Sequence, residues 1–97
     1  MSLNELRKQI DDLDTQIISL LSQRLQLVKM VGVYKLNHVC SIRDKGREEE
    51  ILVRIRNLAA EYKLNPQIIE RIFKILFRYY SSEQAKLWPP KTTRAVK

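Results

Sequence analysis

The sequence contains few of the residues that make turns, disulfides and metal sites. Its 97 residues include 2 glycines, 3 prolines, 1 cysteine and 1 histidine. So few turn formers favour a small number of long elements over many short strands. One cysteine, Cys40, excludes an intrachain disulfide framework, and together with His38 it offers too few ligands for a metal cluster. We therefore interpret both as ordinary loop residues and expect no metal ion.

Long apolar runs are absent as well. No stretch approaches the roughly 20 consecutive apolar residues that cross a bilayer. The N-terminal segment carries charges from Glu5 onwards and lacks the uninterrupted apolar core of a signal peptide. We therefore expect no membrane partner and a reducing, cytoplasmic location.

Positive charge is what the chain has in excess. Lysine and arginine number 18 against 11 aspartates and glutamates, which gives a formal net charge of +7. This excess suits nucleic acid, an acidic surface or a small anion, and composition does not choose among them. The basic residues form no long run and no aromatic side chains interleave with them. A nucleic-acid partner is therefore not expected, although the basic tail of residues 91–97 leaves it open.

The first third of the chain carries an apolar seam on alternating steps of three and four residues. The seam consists of Leu3, Leu6, Ile10, Leu13, Ile17, Leu20, Leu27, Val31 and Tyr34. It predicts one helix from about Leu3 to about Tyr34, roughly 45 Å long at ~1.5 Å per residue. That length exceeds the width of a globule whose radius of gyration is ~13 Å. A helix from a second copy of the chain is the simplest partner that could bury this apolar seam.

A second helix is predicted after a loop over residues 37–45. Asp44 is a suitable N-cap residue, and the helix is expected to end near Tyr62. Its apolar stripe is Ile51, Leu52, Ile55, Leu58 and Ala59.

A third helix follows a turn at residues 63–64. Asn65 is a cap residue and Pro66 suits the first helical position, whereas Pro89-Pro90 cannot continue a helix, so it should stop near Trp88. The side chains expected to point inward are Ile69, Ile72, Phe73, Leu76, Phe77 and Tyr80. The sequence thus predicts one all-α domain of three helices over residues 1–90 and a disordered basic tail over residues 91–97.

Polar residues interrupt these apolar patterns at several positions. Arg24 occupies the seam position between Leu20 and Leu27, where an unpaired buried guanidinium would be costly. It is either a specificity residue, a partner of an internal acid, or a ligand for an anion. Lys35 lies about 16 Å further along nearly the same side of the helix. The two could hold a small anion between them, although Lys35 taken alone is typical of a solvated helix end.

Three other positions carry polar groups of interest. Arg7 flanks the seam about 25 Å from Arg24 along one helix, too far to share a ligand unless two helices pair antiparallel. Gln84 lies on the inward stripe of the third helix, where its amide needs either a backbone carbonyl or a ligand as partner. Arg47 and Glu48 open the second helix and, taken alone, are surface charges.

Six segments in this order and spacing resemble the all-α chorismate mutase family. They are Leu6-Arg7, Ile10-Asp11-Asp12-Leu13-Asp14, Leu20-Leu21-Ser22-Gln23-Arg24, Val31-Gly32-Val33-Tyr34-Lys35, Arg43-Asp44-Lys45-Gly46-Arg47-Glu48 and Glu83-Gln84. Each segment alone is weak evidence for the family, but the ordered set is specific to it. The resemblance runs from about Leu3 to Trp88. The resemblance implies an intertwined homodimer with two equivalent active sites.

The resemblance also implies a residue set for the site. Arg7 would reach into the site of the partner chain. The own-chain residues would be Arg24, Lys35, Asp44, Arg47, Glu48 and Gln84. Several of these are the polar exceptions already singled out by periodicity, so the two lines of reasoning agree.

The reaction of the family is the rearrangement of chorismate to prephenate, on the route to phenylalanine and tyrosine. The resemblance implies that the arginines clamp the two carboxylates of this substrate. Lys35 and Gln84 would donate to the ether oxygen, and Glu48 would accept from the ring hydroxyl. Catalysis would then consist of conformational restraint and electrostatic stabilisation, and we expect no cofactor.

One position departs from the common mutase pattern. Many mutases of this type carry a small hydroxyl residue four positions before the glutamine, where this chain has Tyr80 followed by Ser81. We take both as candidates for substrate binding, with Tyr80 filling part of the pocket or binding a carboxylate. Residues 80–88 also resemble the isochorismate-pyruvate lyases of the same fold, which serve salicylate synthesis. Glu48 favours the mutase, because the lyase pattern has an apolar residue there.

A third hypothesis belongs to another class of function. The chain could be a non-catalytic helical module that binds another protein or a nucleic acid. In that case Arg24 would have a purely structural role and no small anion would affect the stability of the fold.

Overall fold

The computed structural model describes residues 1–38 and 43–87, which form three α-helices. These are α1 (Leu3–Leu36), α2 (Lys45–Glu61) and α3 (Pro66–Ala85). No residue of these two ranges is in a strand, so the predicted all-α class with three helices is confirmed. The predictions for Cys40, for the two prolines after Trp88 and for the basic tail fall outside the described residues. The domain boundary after residue 90 therefore stays a prediction.

The long helix α1 begins at a reciprocal cap. The Ser2 hydroxyl accepts a hydrogen bond from the Glu5 backbone N–H at 3.1 Å, and the Glu5 carboxylate accepts from the Ser2 N–H at 3.3 Å. This arrangement satisfies two amides that an uncapped helix end leaves without partners. At the other end α1 runs to Leu36, two residues past the predicted end at Tyr34. There the Asn37 side chain donates to the Val33 carbonyl at 3.2 Å.

The caps predicted for the two shorter helices are confirmed. Asp44 accepts from the Arg47 N–H at 3.0 Å, and the Asn65 side chain accepts from Gln67 at 2.9 Å. Between these helices Lys63 has a φ of 59°, a left-handed conformation that reverses the chain direction.

The helix α3 ends at Ala85, which is three residues before its predicted end near Trp88. Its last turn tightens when the Leu87 N–H donates to the Gln84 carbonyl, three residues back, at 3.0 Å. Such i→i−3 bonds commonly close the final turn of a helix.

The core lies between α2 and α3. Its buried members are Ile51, Leu52, Ile55 and Phe77, with Ile69 and Phe73 packed against them. Two residues expected to point inward do not, since Ile72 is 46% exposed and Leu58 is 38% exposed. Ile72 is not among the residues packed against this core, so periodicity alone assigned it to a core that the described residues do not provide.

The first half of α1 is left uncovered by the described residues of the chain. Every residue from Met1 to Leu20 is exposed, and the seam residues Leu3, Ile10 and Leu20 are 60%, 57% and 62% exposed. The described chain measures 65 × 26 × 17 Å with a radius of gyration of 17.7 Å, against ~13 Å for a compact chain of this length. A continuous apolar stripe of this extent marks an interaction surface.

None of the three helices in the described ranges combines the length and apolar character that a bilayer-crossing segment requires.

We predict that Glu70→Gln lowers the urea midpoint of unfolding at neutral pH but not in strong acid. Glu70 on α3 accepts a hydrogen bond from Arg56 on α2, and Lys74 lies 3.2 Å from its other oxygen. The hydrogen bond from Arg56, followed by that from Lys74, holds the pKa of Glu70 below its ordinary range. The stabilisation is therefore complete above the pKa of the unfolded chain and is lost as the pH falls through the folded-state pKa.

Unfolding of the wild type and of Glu70→Gln over a pH series measures this effect. Glu61→Gln is the matched control, because Glu61 is exposed and has no ion pair within the described part of the chain. Its midpoint should follow that of the wild type. A Glu70→Gln deficit that stayed constant from neutral pH to strong acid would contradict the prediction.

Candidate active site

A cavity of about 270 Å³ lies where the second half of α1 meets the start of α2 and the second half of α3. Eight of the predicted site residues line this site cavity: Arg24, Lys35, Asp44, Arg47, Glu48, Tyr80, Ser81 and Gln84. Its remaining wall is apolar and consists of Leu27, Val28, Val31, Ile51 and Phe77. The structure thus brings together side chains that are up to 60 positions apart in sequence.

Arg7 is the one predicted site residue that does not line the cavity. It is exposed on the uncovered half of α1. The site cavity borders the seam, since Leu27 and Val31 belong to both. A helix lying on the seam would therefore also close the cavity.

A larger cavity of about 530 Å³ lies between α2 and α3 on the other side of Glu48. Its charged lining includes Arg43, Arg71, Lys74 and Arg78. Of the predicted site residues only Glu48 borders it. The smaller cavity is the candidate active site, because predicted residues from α1, the start of α2 and α3 line it.

Arg24 is half-buried and is held between aromatic rings. Its Cζ lies 5.4 Å from the centroid of the Phe73 ring and 5.1 Å from that of Tyr80. Within residues 1–38 and 43–87 it forms no ion pair and no hydrogen bond. An internal acid is therefore not its partner there. Cation–π contacts orient the guanidinium but leave its five N–H donors for an anion.

Gln84 and Lys35 form a hydrogen-bonded pair in the wall of the site cavity. Gln84 is 5% exposed, and its Nε2 donates to the Val28 carbonyl at 2.9 Å. Its Oε1 accepts from Lys35 Nζ at 3.4 Å. A carbonyl only accepts, so this pairing fixes which end of the amide faces Val28. The internal bond considered for Gln84 is thus present, and it uses one of the two amide N–H groups.

Glu48 is anchored by an arginine that sequence reasoning did not assign to the site. Arg43 donates to the Glu48 carboxylate through Nε at 3.1 Å and through a terminal guanidinium nitrogen. This paired hydrogen bond to Glu48 raises the pKa of Arg43. Arg43 lies within one of the segments that carry the family resemblance, but its pairing with a residue five positions on depends on how the loop enters α2.

Asp44 and Arg47 have local partners at the mouth of the cavity. Asp44 accepts the capping bond from the Arg47 N–H, and the Arg47 guanidinium lies 3.4 Å from Glu50. Both charges are therefore partly compensated. Since Glu48 is paired with Arg43, Arg24 is the cavity-lining cation that has no carboxylate partner in the described part of the chain.

Tyr80 lines the site cavity and carries a buried hydroxyl group. The residue is 6% exposed, and its hydroxyl oxygen has no hydrogen bond within the described part of the chain. Buried hydroxyl groups are usually hydrogen-bonded. Ser81 follows it on the same cavity wall.

No group of three or more histidine, cysteine, aspartate or glutamate side chains in the described ranges is placed to hold a metal ion.

The family model named "Chorismate mutase type II" matches residues 6–85. The chain belongs to this family. The sequence-based identification of an all-α chorismate mutase, an isomerase, is thereby confirmed. The match includes every predicted site residue, with Arg7 and Gln84 near its two ends.

Three curated relatives agree with the family assignment. The chorismate mutase of Methanocaldococcus jannaschii is 37% identical over 82 residues, which are 84% of this chain and 83% of that protein. The bifunctional chorismate mutase/prephenate dehydratase of Buchnera aphidicola subsp. Schizaphis graminum is 32% identical over 84% of this chain and 21% of its own length. The bifunctional protein of the same name from Escherichia coli K12 is 34% identical over 73% of this chain and 18% of its own length. The chain spans about a fifth of each bifunctional relative.

Proposed function

We propose that this chorismate mutase binds chorismate in a site cavity completed by a second copy of the chain, with Arg7 of the partner subunit as the missing cation. The supporting observation is the convergence of eight predicted residues around one cavity, with Arg24 half-buried and lacking any carboxylate partner in the described chain. A half-buried guanidinium without an acid is costly unless an anion arrives.

The exposed seam supports an antiparallel pair of α1 helices. A two-fold axis beside Thr15 places Leu13 opposite Ile17 and Ile10 opposite Leu20 of the other copy. The same register places Leu6 opposite Arg24, so that Arg7 of the partner subunit falls beside the site cavity. Burying the seam in this way removes apolar area from water, which stabilises at about 25 cal/mol per Å².

The charge of the site supports a second cation. Chorismate carries two carboxylates, whereas Arg24 is the one own-chain arginine lining the cavity that has no carboxylate partner among residues 1–38 and 43–87. A bidentate arginine contact to each carboxylate requires a second guanidinium near Arg24. Arg7 of the partner subunit supplies it in the register above.

Within this site the own-chain residues have distinct roles. Arg24 and Arg7 of the partner subunit clamp the carboxylates and hold the substrate in its compact conformer. The C–O bond breaks while a C–C bond forms, so negative charge grows on the ether oxygen. Lys35 and the second amide N–H of Gln84 donate to that oxygen.

Two further residues bind the rest of the substrate. Glu48, oriented by Arg43, accepts from the ring hydroxyl. Tyr80 offers its unpaired hydroxyl to a carboxylate.

Side-by-side assays of the purified protein test the proposed function. We expect prephenate to form from chorismate, and salicylate release from isochorismate to be slower. Faster salicylate release would establish the lyase instead. A folded dimer inactive on both substrates would support the non-catalytic module. The cytoplasmic location stays a prediction.

A further inference from the structure

Gly32 lies in the last third of α1 and is the buried residue of that helix. Glycine is a poor choice inside a helix, since it is the weakest helix former after proline. Its φ is not positive, so the backbone does not require a glycine at this position. The reason must lie in what packs against it.

Gln84 and Leu87 occupy the space that a side chain at position 32 would take. A Cβ atom built on Gly32 would lie 3.0 Å from Gln84 Cγ and 3.2 Å from Leu87 Cδ1. Both distances are shorter than ordinary carbon–carbon contacts of about 3.5–4.0 Å. The absence of a Cβ therefore allows the end of α3 to approach the backbone of α1.

The hydrogen bonds of Gln84 resist the displacement that such a contact requires. It is 5% exposed, its Nε2 is bonded to the carbonyl of Val28, and its Oε1 to Lys35. Val28, Gly32 and Lys35 are four and three positions apart, so they share one face of α1. The Gln84 side chain lies across this face, with its aliphatic stem on Gly32.

We propose that Gly32 is a positioning residue for catalysis, which acts by setting the place of the Gln84 amide in the site. The inference rests on the proposed function, in which Gln84 donates to the ether oxygen. A methyl group at position 32 displaces the Gln84 stem and carries the amide away from Val28 and Lys35. Substrate binding through the arginines is affected much less than the chemical step.

Gly32→Ala should therefore lower kcat by about 10-fold or more, because small displacements of catalytic groups have effects up to about 100-fold. KM should change by less than about threefold, since the carboxylate clamp is not in contact with position 32. Gly46→Ala is the matched control, because a Cβ on the chain's other glycine meets Asp44 Oδ1 at an ordinary 3.5 Å. Its kcat should stay close to that of the wild type.

A double-mutant cycle separates positioning from general damage. In a Gln84→Ala background the Cγ atom and the amide are both gone, so adding Gly32→Ala should change the residual kcat by less than about twofold. An equal loss of kcat in both backgrounds would overturn the proposal. Full activity of Gly32→Ala in the wild-type background would overturn it as well.

A spectroscopic readout tests the same claim without turnover. In protein labelled with ¹⁵N-glutamine, the side-chain amide signal that disappears in Gln84→Ala belongs to Gln84. This signal should shift in Gly32→Ala and stay in place in Gly46→Ala, and an unchanged signal in Gly32→Ala would overturn the proposal.

If Gly32→Ala fails to fold, Leu87→Ala is added to remove the 3.2 Å contact while keeping that with Gln84. A wild-type protein inactive on chorismate would refute the proposed function but leave the amide signal as a test of the positioning.

Discussion

Replacing Arg24 with alanine should lower kcat/KM for chorismate by about 100- to 1000-fold, the usual effect of removing one charged or oriented donor from an active site. Arg24 borders the site cavity between the rings of Phe73 and Tyr80 and has no carboxylate partner in the described chain. Its five donors are therefore available to the substrate in the ground state and in the transition state. Initial rates over a chorismate series measure the loss.

The fold should tolerate the same substitution. No acid of residues 1–38 and 43–87 loses its partner when Arg24 is removed, so the thermal midpoint should change by only a few degrees, as for a loss of about 1 kcal/mol. Arg54→Ala is the matched control, because Arg54 is exposed on α2 and borders neither described cavity. It should keep wild-type kinetics. Wild-type turnover by Arg24→Ala, with Arg54→Ala equally active, would show that Arg24 does not bind the substrate.

Much of the fold could be predicted from local chemistry. The seam predicted α1 because its period is that of one helix face, and Asp44 and Asn65 predicted the starts of α2 and α3 because their side chains satisfy free amides. The cap formed by Ser2 and Glu5 has the serine-to-glutamate spacing of a capping box, which is also a local signal. The orientation of Ile72 was not predictable from one chain, because periodicity shows that a face is apolar without showing what covers it.

The site was predictable where polar residues interrupted an apolar pattern. Arg24 and Gln84 were found in this way, and both line the site cavity. Arg43 and Gly32 were not assigned roles, because their significance comes from tertiary contacts. The contact of Gly32 with Gln84 joins residues 52 positions apart, and no local pattern carries such a signal. Arg7 was assigned to the site of the partner chain through the family resemblance, because the spacing along α1 only allows a shared ligand if two helices pair antiparallel.

Mixing two inactive variants tests the shared site most directly. Arg7→Ala and Arg24→Ala chains should each lose activity, because every site in either homodimer lacks one arginine. In a heterodimer one site regains both arginines and the other lacks both. Random exchange makes half of the dimers heterodimers, so about a quarter of the wild-type activity should return.

The control mixture pairs Arg7→Ala with the Arg7→Ala/Arg24→Ala double variant, in which no combination of chains restores both arginines. Differently tagged chains allow the heterodimer to be purified and its prephenate formation to be measured alone. The account predicts about half of the wild-type rate per dimer for the first heterodimer and none for the control. A purified first heterodimer as inactive as its parents would contradict a site built from two chains.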